Sequence, residues 1–445
     1  MIKNYYSIMF MGRKIILTII ILFVCLSVQS QNLPNDTLVF RYRHFAVEYQ
    51  QQVKQALHGL KGAESQLKVA KGAMAPHLDF KSNYSYYGVP LKLAPKDGAL
   101  TGEDLHNFYS MDMTLTQPVI QGGQLKNTRL MAEANIEAMQ NLVNLNKQEV
   151  MLAADRYYLT AVAKKEIYSL TKAYRDVIGR FVNIIRDKVD EEIVGKNELF
   201  QAKVRYNDAE YQTIRSEKEF KISIMEMNRL MGFPLDSVPQ IRDSLPEINI
   251  NIAGDNGIQK ALSMRPEIGF LKSKIQINTY KEKLSVSKYN VHMGVLAGGK
   301  WGSPSPGLQI EPGFNYYLKA NLIIPVFYWG ERKNTLFAVK QETESVKLEM
   351  EKTSDNIRLE VRQSYFNLIS SQKQMNFAAD ALTNAQKNVE VMLDRYNEGL
   401  SSVLEVLDAQ TYWQKSYFNY IQAKYELNLA YSRYQRALGT LTDTY

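Results

Sequence analysis

Two hydrophobic periods alternate along this chain, and each occurs twice. From His77 to Tyr86, Leu78, Phe80, Ser82, Tyr84 and Tyr86 alternate with Asp79, Lys81, Asn83 and Ser85. Tyr109, Met111, Met113 and Leu115 then alternate with Ser110, Asp112, Thr114 and Thr116. Much later, Val291, Met293, Val295 and Ala297 alternate with His292, Gly294, Leu296 and Gly298, and Tyr316, Leu318, Ala320 and Leu322 with Tyr317, Lys319 and Asn321. Period two predicts strands, because successive side chains point to opposite faces. Each is about ten residues long, the length that crosses a bilayer as a tilted strand. Proline- and glycine-rich segments, 87–107 and 299–314, link the members of each pair.

The second period is helical. Residues 119–233 and 326–445 contain no proline, while all 13 prolines lie outside them. Glycine is almost absent there too. Ile167, Leu170, Tyr174, Ile178, Phe181 and Ile185 recur at spacings of three and four, a coiled-coil-like stripe. Each stretch predicts a helix of about 60–70 residues, a turn at Gly195 or Gly399, and a second helix of about 35–40. At 1.5 Å per residue the longer helix spans roughly 90–100 Å. That length suits a rod or a tube. Two further helices are expected at about 40–73 and 256–288.

The two halves are copies of one another, offset by 207 residues. Gln117-Pro118-Val119 faces Ile324-Pro325-Val326, Gly123 faces Gly330, and Lys126-Asn127 faces Lys333-Asn334. Tyr158 faces Tyr365, Glu198 with Ala202 faces Glu405 with Ala409, and Arg229 with Gly232 faces Arg436 with Gly439. A repeat this long is a duplicated half, not a solenoid unit. It divides the mature chain into repeats at 31–240 and 241–445. The first carries a strand pair at about 77–120 and a helical hairpin at about 122–232; the second carries them at about 291–327 and 330–439. Pro118 and Pro325 fall where a strand hands over to a helix, followed by Gly123 and Gly330, a junction suited to residues that fix or free the backbone.

The N-terminus changes the picture by adding an address. Lys3, Arg13 and Lys14 precede an apolar run from Ile15 to Val28, and Val28-Gln29-Ser30 offers a cleavage site before Gln31. That is the pattern of a signal peptide over 1–30. Met11 is a second candidate start, and Val24 before Cys25 disfavours a lipoprotein site. Cys25 is the only cysteine, so a processed chain has no disulfide, thiolate metal site or cysteine nucleophile. The formal charge of +8 is partly N-terminal and otherwise dispersed, which excludes a nucleic-acid footprint. A mean hydropathy of −0.31 argues against a bundle of membrane helices. Four strands cannot close a barrel, and open edges are excluded from lipid, so a membrane reading requires several chains.

The chain resembles the outer membrane efflux proteins of the TolC family. The resemblance rests on Gln117-Pro118-Val119-Ile120-Gln121-Gly122-Gly123 and its echo Pro325-Val326-Phe327-Tyr328-Trp329-Gly330. It rests above all on Tyr396-Asn397-Glu398-Gly399-Leu400-Ser401-Ser402-Val403-Leu404-Glu405-Val406-Leu407-Asp408-Ala409-Gln410, followed by Arg436-Ala437-Leu438-Gly439. It implies a mainly α fold with a membrane β-barrel. Each protomer would give four strands and long coiled helices, and a homotrimer would close a 12-stranded barrel in outer membrane lipid above a periplasmic helical tube. It implies the exit duct of a tripartite efflux or type I secretion system. The partners would be a periplasmic adaptor and an inner-membrane transporter of RND or ABC type. No cofactor, metal or catalysis is implied, and the cargo is left open.

The same resemblance assigns site residues. Glu405 and Asp408 match an acidic pair lining the closed periplasmic entrance. They lie three apart on one helix face, so a trimer would stack two acidic rings. A capping box, Ser402-x-x-Glu405, is an equally good account of Glu405. Tyr396 matches an entrance latch whose acceptor would be Glu198, with helix packing as the alternative. The histidines at 44, 58, 77, 106 and 292 show no metal or catalytic spacing. The competing reading is a periplasmic coiled-coil adaptor or scaffold without a barrel.

Overall fold

The computed structural model describes residues 37–92, 104–248, 257–303 and 312–442, and the expected signal peptide lies outside them. Helices α1 (Thr37–Tyr49) and α2 (Gln51–Gly72) lead into strands β1 (His77–Lys92) and β2 (Asp104–Gln121). The long helix α3 (Gln124–Asp190) and its return α4 (Lys196–Met231) follow. The second half repeats the order with α5 (Gly257–Met264), α6 (Pro266–Ser285), β3 (His292–Ser303), β4 (Gly313–Ile323), α7 (Glu331–Asn397) and α8 (Val403–Ala437). Both long helices have 67 residues, and each begins and ends at the predicted offset.

Each helix expected before the strands is two pieces. Gln50 breaks the first with an extended backbone (ψ 128°), and its side-chain amide donates to the Leu230 carbonyl at 2.6 Å. Arg265 breaks the second (ψ 127°), because the residue before a proline is pushed out of the helical region. At the strand–helix junctions, Gly122 and Gly123 have φ of +58° and +87°. Trp329 and Gly330 repeat this left-handed pair at +43° and +80°, so the second half holds a tryptophan where the first has a glycine. Pro118 lies inside β2 and not at its end. The strand continues to Gln121, with a register shift between Pro118 and Ile120. Pairing with β1 ends at Thr116, so Pro118 faces only β3, the edge condition that tolerates a missing N–H. Pro325 lies beyond the end of β4.

The four strands form one antiparallel sheet in the order β1-β2-β3-β4, with β2 and β3 joining the halves and β1 and β4 as open edges. Helix α3 packs along α4, α7 along α8, and the halves meet where α3 crosses α8 and where α6 bridges α3 and α7. The main core sits at that crossing, around Tyr158, Leu159, Ile167, Met227 and Ile421. A second cluster lies nearer the hairpin tips, around Ile178, Phe181, Ile185, Tyr396 and Leu407. Burial is unequal: α3 buries 22 side chains and α7 only seven, with none between Leu368 and Tyr396.

Candidate transport duct

The sheet separates two chemistries. Registration places Leu78, Leu115, Ala297 and Leu318 in one cross-strand row, and Phe80, Met113, Gly299 and Tyr316 in the next. Ser82, Met111, Trp301 and Phe314 make a third row on the same face. The face bears no charge, yet its side chains are open to the surroundings, with Leu318 at 77% and Tyr316 at 82% exposure. A contiguous apolar patch of this kind on a single chain marks a surface meant for lipid or a partner. Among the described residues no helix is long and apolar enough to cross a membrane.

The alternate rows, on the opposite face, carry the charges: Asp79, Lys81, Asp112, Lys300 and Lys319. Tyr317 organises it. Its hydroxyl donates to Asp112 Oδ1 at 2.9 Å, Thr114 Oγ1 donates to the same oxygen at 2.8 Å, and Lys319 Nζ sits 4.5 Å from the tyrosine ring centre. The ring lies across β3 only because position 298 is glycine. A Cβ there would stand 2.6 Å from Tyr317 Cζ.

At the far end, the hairpin tips close with one device used twice. Ile193 N donates to Lys188 O at 2.8 Å, and Leu400 N to Arg395 O at 2.7 Å, the six-residue bond that ends many helices. The left-handed residue of that motif is Gly399 in the second tip (φ +77°). In the first tip it is Glu192 (φ +58°), not Gly195. Gly195 is extended and stands at the N-terminus of α4, the position Ser402 holds before α8. The requirement for left-handed backbone thus overrode residue type at Glu192.

Glu405 completes a capping box. Ser402 N donates to Glu405 Oε2 at 2.7 Å, and Glu405 N donates to Ser402 Oγ at 3.3 Å. These bonds from Ser402 backbone and side chain hold the exposed Glu405 carboxyl below its usual range. Asp408, half-exposed, pairs with Arg205 of α4 at 3.3 Å. Tyr396 is buried at 5% exposure, edge-on to Phe181 with ring centres 5.3 Å apart, and Lys188 Nζ lies 4.1 Å from its ring centre. Its hydroxyl has no hydrogen-bond partner in the single chain. Burial, then the charge of Glu198, push that hydroxyl's pKa up. The structure therefore brings Tyr396 and Glu198 within electrostatic reach without a bond between them. Neither Arg205 nor Lys188 is signalled in the sequence, since neither has a fixed offset from the residue it meets.

An efflux-protein model matches residues 45–232 and 296–440, most of the chain and both repeats. The chain belongs to the outer membrane efflux protein family. Among relatives, outer membrane efflux protein BepC of Brucella suis is 18% identical over 86% of this chain and 81% of its own. Alkaline protease secretion protein AprF of Pseudomonas aeruginosa is 19% identical over 90% and 84%. The Campylobacter jejuni CmeC outer membrane channel superposes with a TM-score of 0.74 at 18% identity, covering 92% of this chain and 88% of CmeC. Membership gives this efflux protein a place in the outer membrane and a role in transport.

Proposed function

We propose that three copies of this efflux protein form a passive exit duct. A docked inner-membrane pump, joined to the duct through a periplasmic adaptor, would supply the energy. The observation that carries this reading is the two-faced sheet. Its uncharged face suits lipid, its charged face suits water, and its two open edges are intolerable in a membrane unless β4 of one chain pairs with β1 of the next. Three copies give a closed 12-stranded barrel, within the range of bacterial membrane barrels. The sparse burial of α7 supports the same conclusion, because Phe366 and Phe377 are left for a neighbouring chain to cover. A soluble adaptor would leave both the sheet face and the α7 stripe in water.

At the periplasmic end, Glu405 and Asp408 would line the entrance as acidic rings. Arg205 restrains Asp408, and the free Tyr396 hydroxyl is available to Glu198 as a latch in the closed assembly. The test is envelope fractionation, extraction in mild detergent and sizing by light scattering, then bilayer conductance. A particle of about three chains from the outer-membrane fraction that conducts ions is expected. A soluble periplasmic monomer would overturn the proposal.

A further inference from the structure

The charged face of the sheet holds more cation than its acids balance. Lys81, Asp112 and Lys300 share one cross-strand row, with Asn315 completing it on β4. Salt-bridge neutralisation would be the ordinary expectation for such a row. The carboxylate is instead taken by hydroxyls, since Tyr317 and Thr114 both donate to Asp112 Oδ1. Among the described residues neither Lys81 nor Lys300 has an ion pair, and both are exposed. Two free lysines therefore flank β2 from the strands on either side, their backbones about 10 Å apart by strand spacing. Two rows further on, Lys319 stands level with Thr116 and His77, its charge against the Tyr317 ring. Asp79, paired with Thr114, is the other acid of the rows from His77 to Lys81.

We propose that this row is a binding level for multivalent anions inside the barrel, so that the exit half of the duct prefers anionic cargo. The proposal rests on the reading of the sheet as a closed barrel, which turns its charged face inward. Closure then places six free lysines from Lys81 and Lys300 in one narrow band of the lumen, stepped by the strand tilt, against three hydroxyl-bound carboxylates. A water-filled lumen walled by low-dielectric protein and lipid focuses that excess on whatever passes. The hydroxyl bonds serve the device: they hold Asp112 back from the lysines, and the two ammonium groups stay available to a ligand. Anions with several charges gain most, because one molecule can meet lysines from two strands or two chains. The entrance, where Glu405 and Asp408 sit, carries the opposite sign, so the duct is electrically graded along its length.

The experiment uses the full chain in a planar bilayer, oriented by one-sided addition. Inorganic pyrophosphate is applied to the barrel side, and reversal potential is measured in a potassium chloride gradient. For the unaltered protein, pyrophosphate blocks from the barrel side. For Lys81→Gln with Lys300→Gln, block is expected to weaken about tenfold, and reversal potential to move toward cation preference. Both replacements keep a long polar side chain on the water-facing side, and unchanged oligomer mass confirms assembly. Asp112→Asn, which keeps an acceptor for Tyr317, is expected to strengthen block. Block that is absent in the unaltered conducting protein, or equal in the double variant, overturns the anion level and leaves the duct standing. Failure of the unaltered protein to conduct at all overturns both.

Discussion

The second repeat is anchored by one guanidinium. Arg265, with its side chain 3% exposed, stands at the break between α5 and α6. It donates to Glu267 at 2.5 and 3.1 Å, to Glu360 of α7 at 2.7 Å and to the Ala437 carbonyl of α8 at 3.3 Å. Removing one partner of a buried ion pair costs about 3–5 kcal/mol. Arg436 lies 3.6 Å from Glu267 and is bonded to Glu360, so part of the compensation survives. Arg265→Met should therefore lower the local opening free energy by about 2–3 kcal/mol at pH 7. The sign of the pH effect follows from Glu267. Burial pushes its carboxyl up, but the Arg265 bond and charge, with Arg436 beyond, outweigh burial and hold it below the usual range. Its stabilisation is present above the ordinary carboxylate pKa and is lost as pH falls through the lowered folded value. In the variant the carboxyl loses its main cation and protonates sooner, so the penalty should shrink with acid. Hydrogen exchange of the 257–285 amides in the detergent-extracted assembly, corrected for intrinsic rates, measures this at pH 7 and pH 3.5. Exchange faster by roughly 30- to 150-fold at pH 7, with a smaller gap at pH 3.5, is expected. A change below about 1 kcal/mol, or an equal loss at both pH values, would refute the reasoning.

Other perturbations probe the duct itself. Glu405→Ala with Asp408→Ala should raise single-channel conductance and weaken block by multivalent cations; if both stay unchanged, the acidic entrance is wrong. Tyr396→Phe removes a buried hydroxyl that has no partner in the single chain, so monomer packing should be unaffected. Higher resting conductance in this variant would support a latch to Glu198, and unchanged conductance would reduce Tyr396 to packing. Ser402→Ala should cost about 1 kcal/mol at the start of α8, seen as faster exchange confined to residues 403–407. Gly298→Ala should displace the Tyr317 ring and cost about 1–3 kcal/mol in detergent unfolding. Adding Tyr317→Ala should recover part of that loss, the rest arising from the Met113 carbonyl, 2.9 Å from the added Cβ.

The helices were legible because their signals are local and long. An absence of proline over more than a hundred residues, read with a three-and-four stripe, placed the 67-residue helices and their tips. Strand existence was equally plain, but β1 and β2 reach 16 and 18 residues because pairing continues into segments whose composition reads as loop. Breaks at Gln50 and Arg265 were missed for different reasons. Pro266 was a visible signal, whereas Gln50 is fixed by a bond to Leu230, 180 positions away. The first turn falls at Glu192 and not at Gly195: the 207-residue offset from Gly399 leads to 192, where the left-handed backbone is held by a residue other than the usual glycine. Of the site, the capping box was readable from spacing alone. The Arg205–Asp408 pair and the Tyr317–Asp112 bond were not, since each joins residues more than 200 positions apart whose approach depends on how the halves cross.

The uneven burial of the two long helices has a consequence for how the cell keeps count of this protein. An unassembled chain has a well-packed first hairpin and a second one with no buried side chain from residue 369 to 395. A stretch with no fully buried side chain is the part of a fold expected to open first, and proteases cleave what opens. In the proposed trimer a neighbouring chain would cover it and end the vulnerability. On the trimer reading, surplus copies would be cut there first and assembled ones spared, so limited proteolysis of the unassembled chain should cleave between residues 369 and 395 before any site in the first hairpin.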